Sequence, residues 1–197
     1  MKIKQQLASI AASLVLSMSF ATQAATIDVV QSPTGYFVPT DAEKYDAPYY
    51  RWNGENWSWT HNAISGAISN AYLMISAFDV DAAAGELDNI YGFDSASSSW
   101  LLIGALTGAS DIWNFTWFSL GASLLDDIST GLQVQIGIDE NDDGWAVTLA
   151  KSQLCVNAAS LTECSGNPNP GVPEPGSLAL MALGLAGLAM VRRRRLG

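Results

Sequence analysis

Between residues 25 and 156 the chain alternates apolar and polar positions in short runs, and a 3.6-residue helical period is poorly developed. Asn56-Trp57-Ser58-Trp59-Thr60-His61 alternates aromatic with polar, the two-residue period of a strand with one buried face. Ala71–Asp79 is the strongest such run. Thr26–Val30, Tyr36–Val38, Trp100–Leu106, Phe115–Leu120, Leu132–Asp139 and Trp145–Ala150 complete the predicted strands, separated by turns rich in Gly, Ser and Asp. Gln133–Ile138 and Trp145–Leu149 bracket Asp139–Gly144, which reads as a loop or a wide hairpin. Strands of this length and spacing predict an all-β domain, a single β-sandwich of jelly-roll-like type.

Two apolar runs break this pattern. Residues 1–24 read as a secretory signal peptide: Lys2 and Lys4 precede an apolar stretch from Leu7 to Phe20, and Thr22-Gln23-Ala24 places small residues for cleavage after Ala24. Residues 176–191 contain no charge and no proline, and Arg192, Arg193, Arg194 and Arg195 follow directly. A spanning helix needs about 20 apolar residues. This run is slightly short, and arginine stems can extend toward the interface to make up the difference. The four arginines hold that end in the cytoplasm, so the preceding domain is expected outside it. The predicted organisation is therefore signal peptide 1–24, β-sandwich 25–166, proline-rich linker 167–175, and membrane helix with basic tail 176–197.

Setting the two ends aside exposes a lopsided charge. Three bases (Lys44, Arg51 and Lys151) face eighteen acids between residues 25 and 166, a net of −15. Such a surface repels nucleic acid and anionic lipid, so no nucleic-acid partner is expected. The chain has two cysteines, Cys155 and Cys164; nine positions apart in an exported domain, they are expected to form one disulfide.

Pro173-Glu174-Pro175, the apolar run 176–191 and the Arg192–Arg195 cluster together resemble the PEP-CTERM sorting signal of Gram-negative bacteria. The tail also goes under an ice-binding name, which implies no ice binding. The resemblance implies export through the secretion translocon and processing by an exosortase, a membrane protease-transpeptidase acting near Pro173-Glu174-Pro175. The protein would sit in the inner membrane transiently and reach the cell surface or the extracellular matrix without its helix. Proteins with this tail tend to occur in bacteria that make exopolysaccharide, which makes exopolysaccharide a candidate partner. The stretch from Trp57 to Val156 also looks like a recurrent extracellular β-sandwich of exosortase substrates, whose function is generally unassigned. The resemblance rests on the Asp79-Val80-Asp81 strand end, the Gly85-Glu86-Leu87-Asp88 turn and Ser152-Gln153-Leu154.

The candidate chemistry lies in acids and aromatics. Asp79, Asp81, Glu86 and Asp88 surround a turn glycine at the end of the strongest strand. Carboxylates and carbonyls there could supply oxygens to a Ca²⁺ cofactor; the competing reading is a solvated turn. Asp139, Asn141, Asp143 and Gly144 match the first half of a calcium loop, but Ala150 stands where the bidentate glutamate would be. That stretch gains weight as a cation site only if it meets the first cluster in space. His61, the single histidine, reads as a hydrogen-bonded structural residue rather than a metal ligand.

No nucleophile elbow, zinc-protease, P-loop or dinucleotide motif is present, and no catalytic residue is assigned. The expectation is a non-enzymatic surface or matrix protein associated with exopolysaccharide. One alternative is a carbohydrate-binding module using Trp52, Trp57 and Trp113. The other is a secreted hydrolase using acids between Asp79 and Asp88.

Overall fold

The computed structural model describes residues 25–165 apart from residues 142 and 143. The expected signal peptide, the linker with Pro173-Glu174-Pro175, the membrane helix and the basic tail lie outside the described residues. Among those described, no helix is long and apolar enough to cross a membrane.

Among the described residues, nine strands form two antiparallel sheets: β1 (Thr26–Gln31), β2 (Arg51–Trp52), β3 (Trp57–Thr60), β4 (Ala71–Phe78), β5 (Asn89–Asp94), β6 (Ser99–Ala105), β7 (Trp113–Ser119), β8 (Gln133–Gly137) and β9 (Ala146–Val156). One sheet has the order β1-β9-β4-β7, with the two-residue β2 pairing beside β9; the other has the order β3-β8-β5-β6. The chain crosses repeatedly between sheets, from β3 to β4, β4 to β5, β6 to β7, β7 to β8 and β8 to β9. This winding of eight principal strands is that of a jelly roll.

Both sheets bury one face in a common core. Leu73, Ile75 and Leu154 come from the first sheet, and Trp59, Ile90, Val134 and Ile136 from the second. Each such side chain stabilises the fold by about 1.5–3 kcal/mol through loss of water contact. β4 is central to its sheet, between β9 and β7, and six of its eight residues in a row are buried. That explains why its sequence reads as a nearly continuous apolar run rather than a strict alternation.

The structure departs from the sequence expectations in four places. Tyr36–Val38 is not a strand: Tyr36 ends a turn, Phe37 and Val38 are buried in the irregular chain after it, and Val38 N–H donates to the Leu149 carbonyl. β9 runs on to Val156, past Lys151, because β1 and β4 flank it on both sides and satisfy its backbone. β8 and β9 lie in different sheets, so Asp139–Gly144 belongs to a crossing loop and closes no hairpin. β5 was not anticipated. Its inward positions are Ile90, Gly92 and Asp94, so a glycine and an acid stand where the apolar period should continue. Gly92 leaves room there for Leu124, whose Cδ1 would lie 2.7 Å from an added Cβ and would have to shift.

The expected disulfide is present between Cys155 of β9 and Cys164 in the helical turn Leu161–Cys164. Gln153 Nε2 donates to the Cys164 carbonyl at 2.6 Å, and Ala158, Tyr72 and Trp117 pack around the bridge.

Candidate functional site

Three groupings of polar and aromatic side chains stand out, and the first is built on His61. The ring is buried just beyond β3. Its Nδ1 lies 2.9 Å from Asp28 Oδ2 on β1, and its Nε2 lies 2.9 Å from Ser152 Oγ on β9. Asp28 also accepts from the Asn62 backbone N–H and the Asn62 side-chain amide. Burial works to raise the Asp28 pKa, but the donors from Asn62 and His61 outweigh it and hold the carboxyl below its usual value. Burial dominates at His61 and pushes its pKa down, so the imidazole is neutral at pH 7 despite its carboxylate neighbour. The connectivity Asp–His–Ser is that of a hydrolase triad. Ser152, however, is fully enclosed, and an Oγ with no open side cannot meet a substrate carbonyl. The trio joins three chain segments, which agrees with the structural role expected for His61.

The second grouping is acidic, and it divides the four acids of the Asp79–Asp88 stretch. Asp79 uses both its oxygens: Oδ1 accepts the Asp111 N–H at 2.7 Å, and Oδ2 accepts the Tyr50 hydroxyl at 2.8 Å. Burial and the Asp79 carboxylate together push the Tyr50 pKa upward. Asp81 contributes its backbone N–H to Glu86, and its own carboxyl pKa is raised by desolvation and by the charges of Asp79 and Asp111.

Glu86 lies against Asp88, and Asp88 turns to the loop after β8. Asp139 N–H donates to Asp88 Oδ1 at 2.9 Å, Glu140 N–H to the Leu87 carbonyl at 3.0 Å, and Asn141 Nδ2 to the Gly85 carbonyl at 2.6 Å. The two acidic stretches of the sequence therefore meet in space. Asp139 Oδ2 accepts from the backbone N–H groups of Gly144 and Trp145. Glu86, Asp88 and Asp139 are all buried. Burial first, and then the charge of Asp88, raises Glu86 far above the ordinary carboxylate range. Asp88 is raised by burial too, and further by the charges of Asp139 and Glu140. Among the described residues, no three His, Cys, Asp or Glu side chains are grouped so as to hold a metal ion as they stand.

The third grouping is aromatic. Trp52, Tyr50, Tyr45, Phe78 and Trp113 form a continuous chain of rings, each centroid 5.2–5.7 Å from the next. Trp52 and Tyr45 are 51% and 50% exposed, and Phe78 is the buried anchor. Acids line the strip. Tyr45 donates its hydroxyl to Asp111, Trp113 Nε1 donates to Asp41 Oδ1 at 2.7 Å, and Lys44 pairs with Asp41. The hydrogen bond to Asp111 pushes the Tyr45 pKa up to about 12. Of the three tryptophans that a carbohydrate-binding module would use, Trp52 and Trp113 belong to this strip. Trp57 does not; it packs with Tyr36, Phe37 and Trp59. Tyr45 and Tyr50 were not singled out in the sequence. The signal was available in Tyr45, Tyr49 and Tyr50, three tyrosines within six residues of an otherwise polar loop.

An open depression is lined by Thr107, Gly108, Ala109, Ile112 and Asn114, and no carboxylate is among these residues.

The described residues thus form an antiparallel β-sandwich that carries acidic and aromatic groupings. Comparison with known families places a sorting signal after it: residues 171–195 match the PEP-CTERM protein-sorting motif. The chain accordingly carries the signal for export and for membrane-associated sorting to the cell surface, with exosortase as the processing enzyme. None of the curated protein sequences compared with the chain matches it. Among solved structures, the coat protein of Tobacco streak virus aligns over 68% of this chain and 85% of its own, at 14% identity and a TM-score of 0.33.

Proposed function

We propose that the β-sandwich is a non-enzymatic surface or matrix module that associates with exopolysaccharide after sorting. The observation that supports this reading is the strip from Trp52 through Tyr50, Tyr45 and Phe78 to Trp113, with Asp41 and Asp111 beside it. Exposed aromatic rings offer apolar surface to the C–H faces of sugars, and adjacent carboxylates accept their hydroxyls. Successive rings meet at 50–83°, so each exposed ring would contact its own sugar and no flat platform is needed. The net charge of −15 between residues 25 and 166 works against anionic polymers, so the reading specifies a neutral or amino-bearing glycan.

A hydrolase would need two opposed carboxylates across a cleft. Glu86 and Asp88 instead face one another within the protein, and the open depression has no acid in its lining. Retention of the chain on immobilised neutral and amino-bearing polysaccharides tests the proposal. Trp52→Ala and Tyr45→Ala are each expected to weaken retention by up to about tenfold, on the order of the 0.5–1.5 kcal/mol that one aromatic contact supplies. Equal retention of the wild type and both variants would remove the strip from the account.

A further inference from the structure

The two sheets differ in charge. Strands β3, β5, β6 and β8 of the second sheet contain one charged residue, Asp94, and it is buried on the inner face. The strands of the first sheet carry Asp28, Arg51 and Lys151. The outer face of the second sheet is therefore uncharged, on a domain with a net charge of −15 between residues 25 and 166. Glu140 borders it at one end, where its Oε2 accepts from Asn89 Nδ2 at 2.6 Å and from the Tyr91 hydroxyl at 2.7 Å.

Strand register sets what this face presents. Trp59, Val134 and Ile136 point into the core, so Ser58, Thr60, Gln133 and Gln135 point out. Ser58 pairs with Gln135, Gln135 with Tyr91, and Tyr91 with Leu102, one row across four strands. Two residues along each strand, Thr60 pairs with Gln133 and Phe93 with Trp100, whose rings lie 5.3 Å apart. Neighbouring strands stand about 4.8 Å apart, so a row of four spans about 14 Å. Half of the face is thus amide and hydroxyl, and half is aromatic and aliphatic, with Trp100 and Leu102 both exposed. The side chains of Ser58, Thr60, Gln133 and Gln135 make no hydrogen bond to another described residue.

This combination selects among partners. A protein surface laid on the face would strip water from two glutamine amides, which is costly unless each finds a new partner. A glycan replaces that water with hydroxyls that both donate and accept, while the apolar C–H faces of its rings cover Trp100 and Phe93. A charged polymer finds no counter-charge here, and an anionic one is repelled by the acids elsewhere on the domain.

We propose that the outer face of the sheet β3-β8-β5-β6 binds a neutral polysaccharide chain. The chain lies across the strands, with sugar rings on Trp100 and Phe93 and hydroxyls on Gln133 and Gln135. The surface shares no residue with the aromatic strip and does not depend on it.

The test measures retention of the full chain on immobilised dextran, laminarin and galactomannan, in a detergent without a sugar headgroup. About 1 M NaCl shortens the screening length to ~3 Å and suppresses any contribution from the surface acids. A background chain carrying Trp52→Ala and Tyr45→Ala removes the strip from the measurement. This background should be retained on at least one of the three polymers. Adding Trp100→Ala or Gln133→Ala should lower that retention by about two- to tenfold each. Gln133 is exposed and its loss leaves the core intact, so that variant decides even if removing Trp100 unsettles Phe93. Retention on none of the polymers, or retention unchanged by both substitutions, would overturn the site. So would a dimer in sedimentation that Leu102→Ala dissolves, which would give the face to a second copy of the chain. Equal retention of the wild type and the background counts against the strip and not against this face.

Discussion

Replacing His61 with alanine is expected to lower the melting temperature by about 10 °C, the consequence of losing roughly 3 kcal/mol in a domain of this size. The imidazole is buried and bonded at both nitrogens, to Asp28 and to Ser152. Its removal strands the Ser152 hydroxyl, which has no contact with water, and takes one donor from Asp28 while leaving the two from Asn62. It also opens a void where β1, β9 and the chain after β3 come together. The effect is pH-dependent with a definite sign. The folded pKa of His61 lies below its ordinary value, so the neutral ring contributes stability that is fully present above the unfolded pKa, about 6.5. That contribution is lost as pH falls through the folded pKa, because the unfolded chain takes up a proton that the folded one refuses. The gap between wild type and His61→Ala should therefore narrow from about pH 7 to about pH 5. Thermal melts of the two proteins at several pH values check this; a gap that widens toward acid would mean the ring is charged in the fold.

Leu154→Ala should be as damaging, for a different reason. Leu154 is fully buried on β9, paired with Leu73 on one side and Asp28 on the other, and belongs to the core shared by both sheets. Truncating a buried leucine costs about 2–5 kcal/mol through lost burial and the cavity left behind, or roughly 10–15 °C here. Leu102→Ala supplies the contrast. That side chain is 61% exposed on β6, and its removal should change stability by less than about 0.5 kcal/mol. Denaturant or thermal unfolding of both variants decides; comparable losses would mean that the two sheets do not share the core described here.

Much of the fold was legible because a sandwich buries alternate residues. Trp57-Ser58-Trp59-Thr60 shows that period outright, and β4 was recognisable from its apolar length. Legibility failed where the inward positions are not apolar. Gly92 and Asp94 point inward on β5 because a neighbouring leucine fills the space above one and local donors satisfy the other, and neither condition can be read from those residues. The pairing of β9 with strands far away in the chain was equally hidden. A run of sequence records which face is buried and not which strand lies beside it.

The candidate sites divide along the same line. The disulfide could be expected because its cysteines lie close together in sequence and the domain is exported. The partners of His61 could not, since Asp28 and Ser152 lie 33 and 91 positions away. The acidic stretch from Asp79 to Asp88 was conspicuous in composition, yet its members part company in the fold. Asp79 turns to Tyr50 and Asp111, Glu86 stays with the Asp81 N–H, and Asp88 accepts from Asp139, more than fifty positions on. Charge density in a sequence marks where a site can be; the donors that satisfy some acids and leave others bare are set by the winding of the sheets.

We propose that the C-terminal address that sorts this acidic β-sandwich outside the cell is removed on delivery. It is tested most directly by the intact mass of the protein released from the surface of cells that make it. The expected mass is that of a chain beginning near Ala25 and ending near Pro173–Pro175. A mass that retains Arg192–Arg195 would contradict it.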